Sequence, residues 1–142
     1  MGSEMCIRDS TFIYTIESPS HSDFYNGVTE GRALTQMLDI ALIPQAYNIA
    51  TSLNTFNLCL TERLLEVAKK HNGLPLLHLS LHGNRQGIQF TNEETLDWAQ
   101  LRDKLLPLIR AMNGDLIVCM SSCFGSSAVS YTHLTLPTIY SV

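Results

Sequence analysis

Long apolar runs are the first thing this 142-residue chain lacks. None approaches the roughly 20 residues that cross a bilayer as a helix, so no membrane partner is expected. Positive charge is scarce as well. Nine Lys and Arg stand against 13 Asp and Glu, a net charge of −4, and no basic run offers a footing for nucleic acid or an anionic surface. Residues 1–10 carry Glu4, Arg8 and Asp9 where a signal peptide needs an apolar stretch. The four cysteines, Cys6, Cys59, Cys119 and Cys123, are scattered through apolar segments without the framework of a disulfide-stapled scaffold, which suits a reducing, cytoplasmic compartment. No glycine-rich phosphate loop follows a candidate strand, and there are no repeats or low-complexity tracts. What is there, 45% hydrophobic and 15% charged residues, is enough for one domain with a real core.

The apolar pattern alternates between strand-like and helix-like segments. Residues 11–16 are β-branched and aromatic and predict a first strand, followed by a loop over 17–27. Leu34, Met37, Leu38 and Ala41 recur at helical spacing and predict a helix over 29–42, ended by Pro44, with a weaker strand over 46–51. Phe56, Leu60, Leu64 and Val67 form the stripe of one second helix. Its last turn holds Lys69, Lys70 and His71, and Asn72-Gly73 is its stop. A third strand spans 76–82, with a short ribbon over 87–91 beside the sheet. Trp98, Leu101, Leu105, Leu108 and Met112 mark a helix over 97–113, capped by Asp97 with Gln100, and a fourth strand starts at Leu116. This order argues an α/β sandwich on a parallel sheet, with the strand from Leu76 between those from Thr11 and Leu116.

In a parallel sheet the carboxyl ends of all strands share one edge, where ligands bind. The third strand ends in His82-Gly83, and the fourth in Ser121-Ser122-Cys123-Phe124-Gly125. On neighbouring strands, about 4.8 Å apart, an imidazole and a thiol so placed meet over one cleft. That pair suits nucleophilic catalysis, with Cys123 as nucleophile and His82 as general base and acid. The backbone N–H groups of Gly83 and Cys123 are then the candidates for holding the oxyanion of a tetrahedral intermediate.

Strand-His-Gly, ribbon, amphipathic helix and strand-Ser-Ser-Cys-Phe-Gly resembles the caspase-like cysteine peptidases, including metacaspases and CHAT domains. His82 precedes Cys123 by about forty positions, near the spacing of the caspase signature. The resemblance implies a three-layer α/β sandwich with a mostly parallel sheet and hydrolysis of peptide or protein substrates by a His82–Cys123 dyad without cofactor or metal. Where caspases carry Gln-Ala-Cys and metacaspases Asp-Ser-Cys, this chain has Ser121-Ser122-Cys123, so neither an acidic nor a basic substrate preference carries over, and Ser121 is the candidate pocket residue. Residues 1–10 and 128–142 resemble translated sequencing-adaptor read-through. Residues 11–127 are then the front part of an incomplete caspase-like domain from a parent protein with further domains, the strand from Leu116 would be left as an exposed edge, and the fragment as it stands is expected to be inactive and poorly folded.

Two other readings stand beside the peptidase: a non-catalytic relative acting as scaffold or signalling module, and an unrelated doubly wound α/β domain. A metal site of His78, His82, Cys119 and Cys123 fails on geometry. Strand residues four apart are separated by roughly 13 Å, against zinc bonds of about 2.0 to 2.3 Å. Cys59 and Cys119 read as inert core thiols, His78 as a satisfied interior histidine, and residues 84–86 as a solvated loop.

Overall fold

The computed structural model of the chain describes residues 10–121 and a strand at 138–141. In chain order the elements are β1 (Thr11–Ser18), α1 (His21–Asn26), α2 (Glu30–Ile40), β2 (Gln45–Ile49), α3 (Leu53–Leu60) and α4 (Glu62–His71). After these come β3 (Leu74–Gly83), β4 (Gly87–Gln89), β5 (Thr95–Asp97), α5 (Trp98–Ala111), β6 (Ile117–Ser121) and β7 (Thr138–Ser141). The fold is α/β with a mixed sheet. β1 pairs in parallel with β2 and with β3, and β3 pairs in parallel with β6. The third strand thus lies between the first and the fourth, as the sequence predicts. β4 and β5 form an antiparallel ribbon hung on the end of β3, with His82 facing Gln89 and Gly83 facing Ile88.

Three expectations are corrected. The expected single second helix is two, α3 and α4, because Thr61 between them takes φ −116°, ψ −91° and interrupts the ladder although the apolar stripe runs on. The expected loop over 17–27 holds the end of β1 and the short helix α1, whose start is capped by the Ser20 hydroxyl accepting from Asp23 N and whose end is closed by Gly27 at φ 68°. β6 is not a free edge, because β7 pairs with it in parallel.

Alternation along the strands sorts the side chains into two faces. Phe12, Tyr14, Ile16, Leu77, Leu79, Leu81, Val118 and Met120 share one face and are all buried with Phe56, Leu64, Val67, Trp98, Leu101, Leu105 and Ile109 of α3, α4 and α5. Each such side chain contributes about 1.5–3 kcal/mol by leaving water. Phe12 stacks on His71 of α4, and the Tyr14 hydroxyl donates to the Cys59 carbonyl of α3. Burial, helped by the neighbouring Cys59, raises the Tyr14 phenol above its ordinary range. In α5 the expected capping box forms, with Asp97 and Gln100 bonding each other's backbone N–H. Ile109 is buried in its stripe, and Leu108 is only half-buried.

The opposite face carries Thr15 and Glu17 of β1, His78 and Ser80 of β3, and Cys119 and Ser121 of β6, and it meets α2. Among the residues of α2 only Gly31 is buried, and Met37 of its predicted stripe is 68% exposed. Gly31 is where the helix touches the sheet. A Cβ there would stand 2.6 Å from Tyr47 Cε2 and 2.9 Å from Glu17 Oε1, so no larger residue fits without a shift. Among the described residues no helix is long and apolar enough to cross a membrane.

Candidate functional site

β1, β3 and β6 end at the same edge, and the space beyond them is a cavity of about 460 Å³. β1 supplies Glu17 and Ser18 to its lining, β3 supplies Ser80, Leu81 and His82, and β6 supplies Ser121. Asp23 comes from α1, and Glu30 from the first turn of α2. Of the residues singled out in the sequence, His82 and Ser121 therefore meet at one cavity. Cys123 lies outside the described residues.

His82 is exposed at the carboxyl end of β3 and belongs to two cavities. The second, also about 460 Å³, lies on the ribbon side and includes Gly83, Asn84 and Phe90. Gly83 is thus on the second cavity and not the first. The turn after it is built by Asn84, whose Oδ1 accepts from Gln86 N at 2.8 Å and Gly87 N at 3.0 Å. Asn84, Arg85 and Gln86 are exposed, the solvated loop the sequence suggests. Gly87 is required there, since a Cβ would sit 1.9 Å from the Leu96 carbonyl oxygen.

Carboxylates dominate the first cavity. Glu17 is 3% exposed, and its Oε1 accepts from Gly31 N at 3.1 Å and from the Tyr47 hydroxyl. Burial and that bond to Glu17 push the Tyr47 phenol up to about 12. Glu30 accepts the hydroxyl of Ser80 at 3.0 Å and that of Ser121 at 2.9 Å, so one carboxylate at a helix start ties two strand ends to α2. Asp23 Oδ2 lies 3.5 Å from His82 Nε2. Among the described residues no Lys or Arg lines the cavity, and its acidic groups favour negative potential there.

Glu17, Asp23 and Glu30 were not singled out in the sequence. One signal was present: Ser20-His21-Ser22-Asp23 has the spacing of a capping box and marks a helix start. Nothing local marks Glu17 or Glu30.

The remaining candidates behave as interior groups, with one correction. His78 is half-buried between Thr15 and Cys119, and its Nε2 has no hydrogen-bond partner among the described residues, so it is not a satisfied histidine. Desolvation lowers its pKa from the ordinary 6.5, against the pull of Glu30 and Glu17. Burial raises the thiols of Cys59 and Cys119 and makes them poorer nucleophiles. Among the described residues no group of three or more His, Cys, Asp or Glu is placed to hold a metal ion. Comparison with known proteins finds no matching family model, no matching curated protein and no matching solved structure.

Proposed function

We propose that this chain is part of a cysteine-type endopeptidase of caspase-like architecture, a three-layer sandwich around a mostly parallel sheet, that cleaves peptide or protein substrates with a His82–Cys123 dyad and no cofactor. The observation that carries the reading is the position of His82, at the carboxyl end of the central parallel strand and on the rim of the cavity where β1, β3 and β6 end. The register supports it. Ser80 faces Ser121, and Cys123 follows Ser121 in sequence by the same two residues that separate His82 from Ser80.

In this reading His82 takes the thiol proton and the Cys123 sulfur attacks the scissile carbonyl. The Gly83 and Cys123 amides receive the oxyanion. His82 then returns the proton to the leaving amine, and a water molecule activated by the same imidazole hydrolyses the thioester. The Glu30 carboxylate, exposed at the first cavity, favours a cationic substrate side chain there.

Treating the intact parent protein with a biotinylated peptidyl acyloxymethyl ketone and mapping the adduct by mass spectrometry tests the proposal. The adduct is expected on Cys123. Cys123→Ala and His82→Ala are each expected to abolish both labelling and cleavage of fluorogenic peptides, since members of one catalytic unit fail together. Labelling or cleavage that survives either substitution overturns it.

A further inference from the structure

Asp23 reaches the site from a place the chain holds firmly. Its backbone N–H donates to the Ser20 hydroxyl at 3.1 Å, and its carbonyl accepts from Val28 N at 2.9 Å and from Gly27 N. Both sides of the residue are therefore tied within α1, and the carboxylate projects into the cavity with Oδ2 at 3.5 Å from His82 Nε2. The other two carboxylates of the cavity are engaged elsewhere, Glu17 by Tyr47 and Gly31, Glu30 by Ser80 and Ser121. Among the described residues Asp23 is the one acidic group paired with His82.

We infer that Asp23 is a positioning residue for His82, which sets the direction of its proton transfer. This rests on the peptidase reading. A carboxylate only accepts, so the ring nitrogen facing it must carry the hydrogen, and in a neutral imidazole that leaves the other nitrogen as the acceptor. Asp23 at Nε2 thus selects the Nε2–H tautomer and presents Nδ1 as the base. The thiol proton moves from sulfur to Nδ1 as the sulfur pair attacks the carbonyl carbon, and from Nδ1 to the departing amine as the C–N bond breaks. The distance of 3.5 Å exceeds the roughly 2.7–2.9 Å of a charge-assisted bond, so the two groups face each other without a formed hydrogen bond; catalytic hydrogen bonds are often long before substrate binds and shorten in the complex.

The exposure of the pair separates this role from a structural one. The two side chains are 47% and 44% exposed, and a polar contact that open adds little to stability. A tether for α1 would be a poor use of it. A ring held in one tautomer needs only the direction of the contact.

The experiment has two readouts on the intact parent protein. Imidazole ¹⁵N chemical shifts in alkaline buffer are expected to show the Nε2–H form in the wild type, a mixed population in Asp23→Asn and Asp23→Ala, and recovery in Asp23→Glu. In parallel, the maximal rate of Cys123 labelling by the peptidyl ketone is expected to fall about tenfold in Asp23→Ala, a fraction of the roughly hundredfold that a 1 Å misplacement can cost. The half-saturating concentration should be unchanged, and Asp23→Glu should recover the rate. Asp23→Asn keeps the side-chain volume and serves where Asp23→Ala does not fold. A tautomer population indifferent to Asp23→Asn overturns the inference even when labelling still requires His82. Labelling indifferent to His82→Ala overturns instead the peptidase reading, whatever the tautomer does.

Discussion

Ser80 and Ser121 sit opposite each other on β3 and β6, and both turn their hydroxyls onto the Glu30 carboxylate. The two strands and α2 are thereby joined at the mouth of a cavity whose described lining holds three acidic groups, Glu17, Asp23 and Glu30, beside the single imidazole of His82.

Substrate choice should follow from that charge. Peptides with Arg or Lys before the scissile bond are expected to be cleaved faster than those with Leu or Asp. Glu30→Gln should shrink the Arg-over-Leu ratio about thirtyfold, or about 2 kcal/mol, within the roughly 1.5–3 kcal/mol of a hydrogen bond to a charged group. The ratio of kcat/KM values for the two peptides measures it, and an unchanged ratio would show that Glu30 serves only to join the strands.

Gly31→Ala should loosen α2. The added methyl group meets Tyr47 at 2.6 Å and Glu17 at 2.9 Å, and relieving it means moving either the helix or the hydrogen-bonded pair of buried Glu17 and half-buried Tyr47. A loss of about 1–3 kcal/mol is expected, the usual cost of overpacking. Chemical denaturation followed by circular dichroism reads it, and a variant as stable as the parent would mean that α2 yields freely.

His78 should make the fold acid-sensitive. Its pKa is lowered from 6.5 by desolvation, so below about that pH the unfolded chain binds a proton that the folded chain resists. Stability should therefore be fully present above pH 6.5 and fall as the pH drops below it. His78→Gln should flatten that part of the curve. Thermal melts of both chains between pH 7.5 and 5 test this, and parallel curves would assign the acid sensitivity to other groups.

Tyr14→Phe should cost about 1–3 kcal/mol, because the Cys59 carbonyl then loses the donor that reaches it in the core and the desolvation cost of that group is no longer offset. A smaller loss in the melting curve would mean that another donor reaches the carbonyl.

Elements governed by neighbours in the chain were legible in the sequence. The Asp97 and Gln100 box starts α5 where predicted, and Asn72 in the left-handed region ends α4, since caps act over three or four residues. His82 and Ser121 could be assigned to strand ends for the same reason, because an apolar β-prone run stops there. The break at Thr61 was hidden, as Phe56, Leu60, Leu64 and Val67 keep helical spacing across it and only the backbone torsions at Thr61 part the two helices.

The acidic side of the site was a matter for the tertiary structure. Glu30 meets Ser80 across 50 positions and Ser121 across 91, and Asp23 reaches His82 only because β1 and β3 pair in a register that brings α1 beside the end of β3. A local pattern can say that a segment is a strand and where it stops. Which carboxylates gather around the imidazole depends on strand order and register, and those are chosen by the burial of Phe12, Tyr14, Leu77, Leu79, Val118 and Met120 on the opposite face of the same sheet.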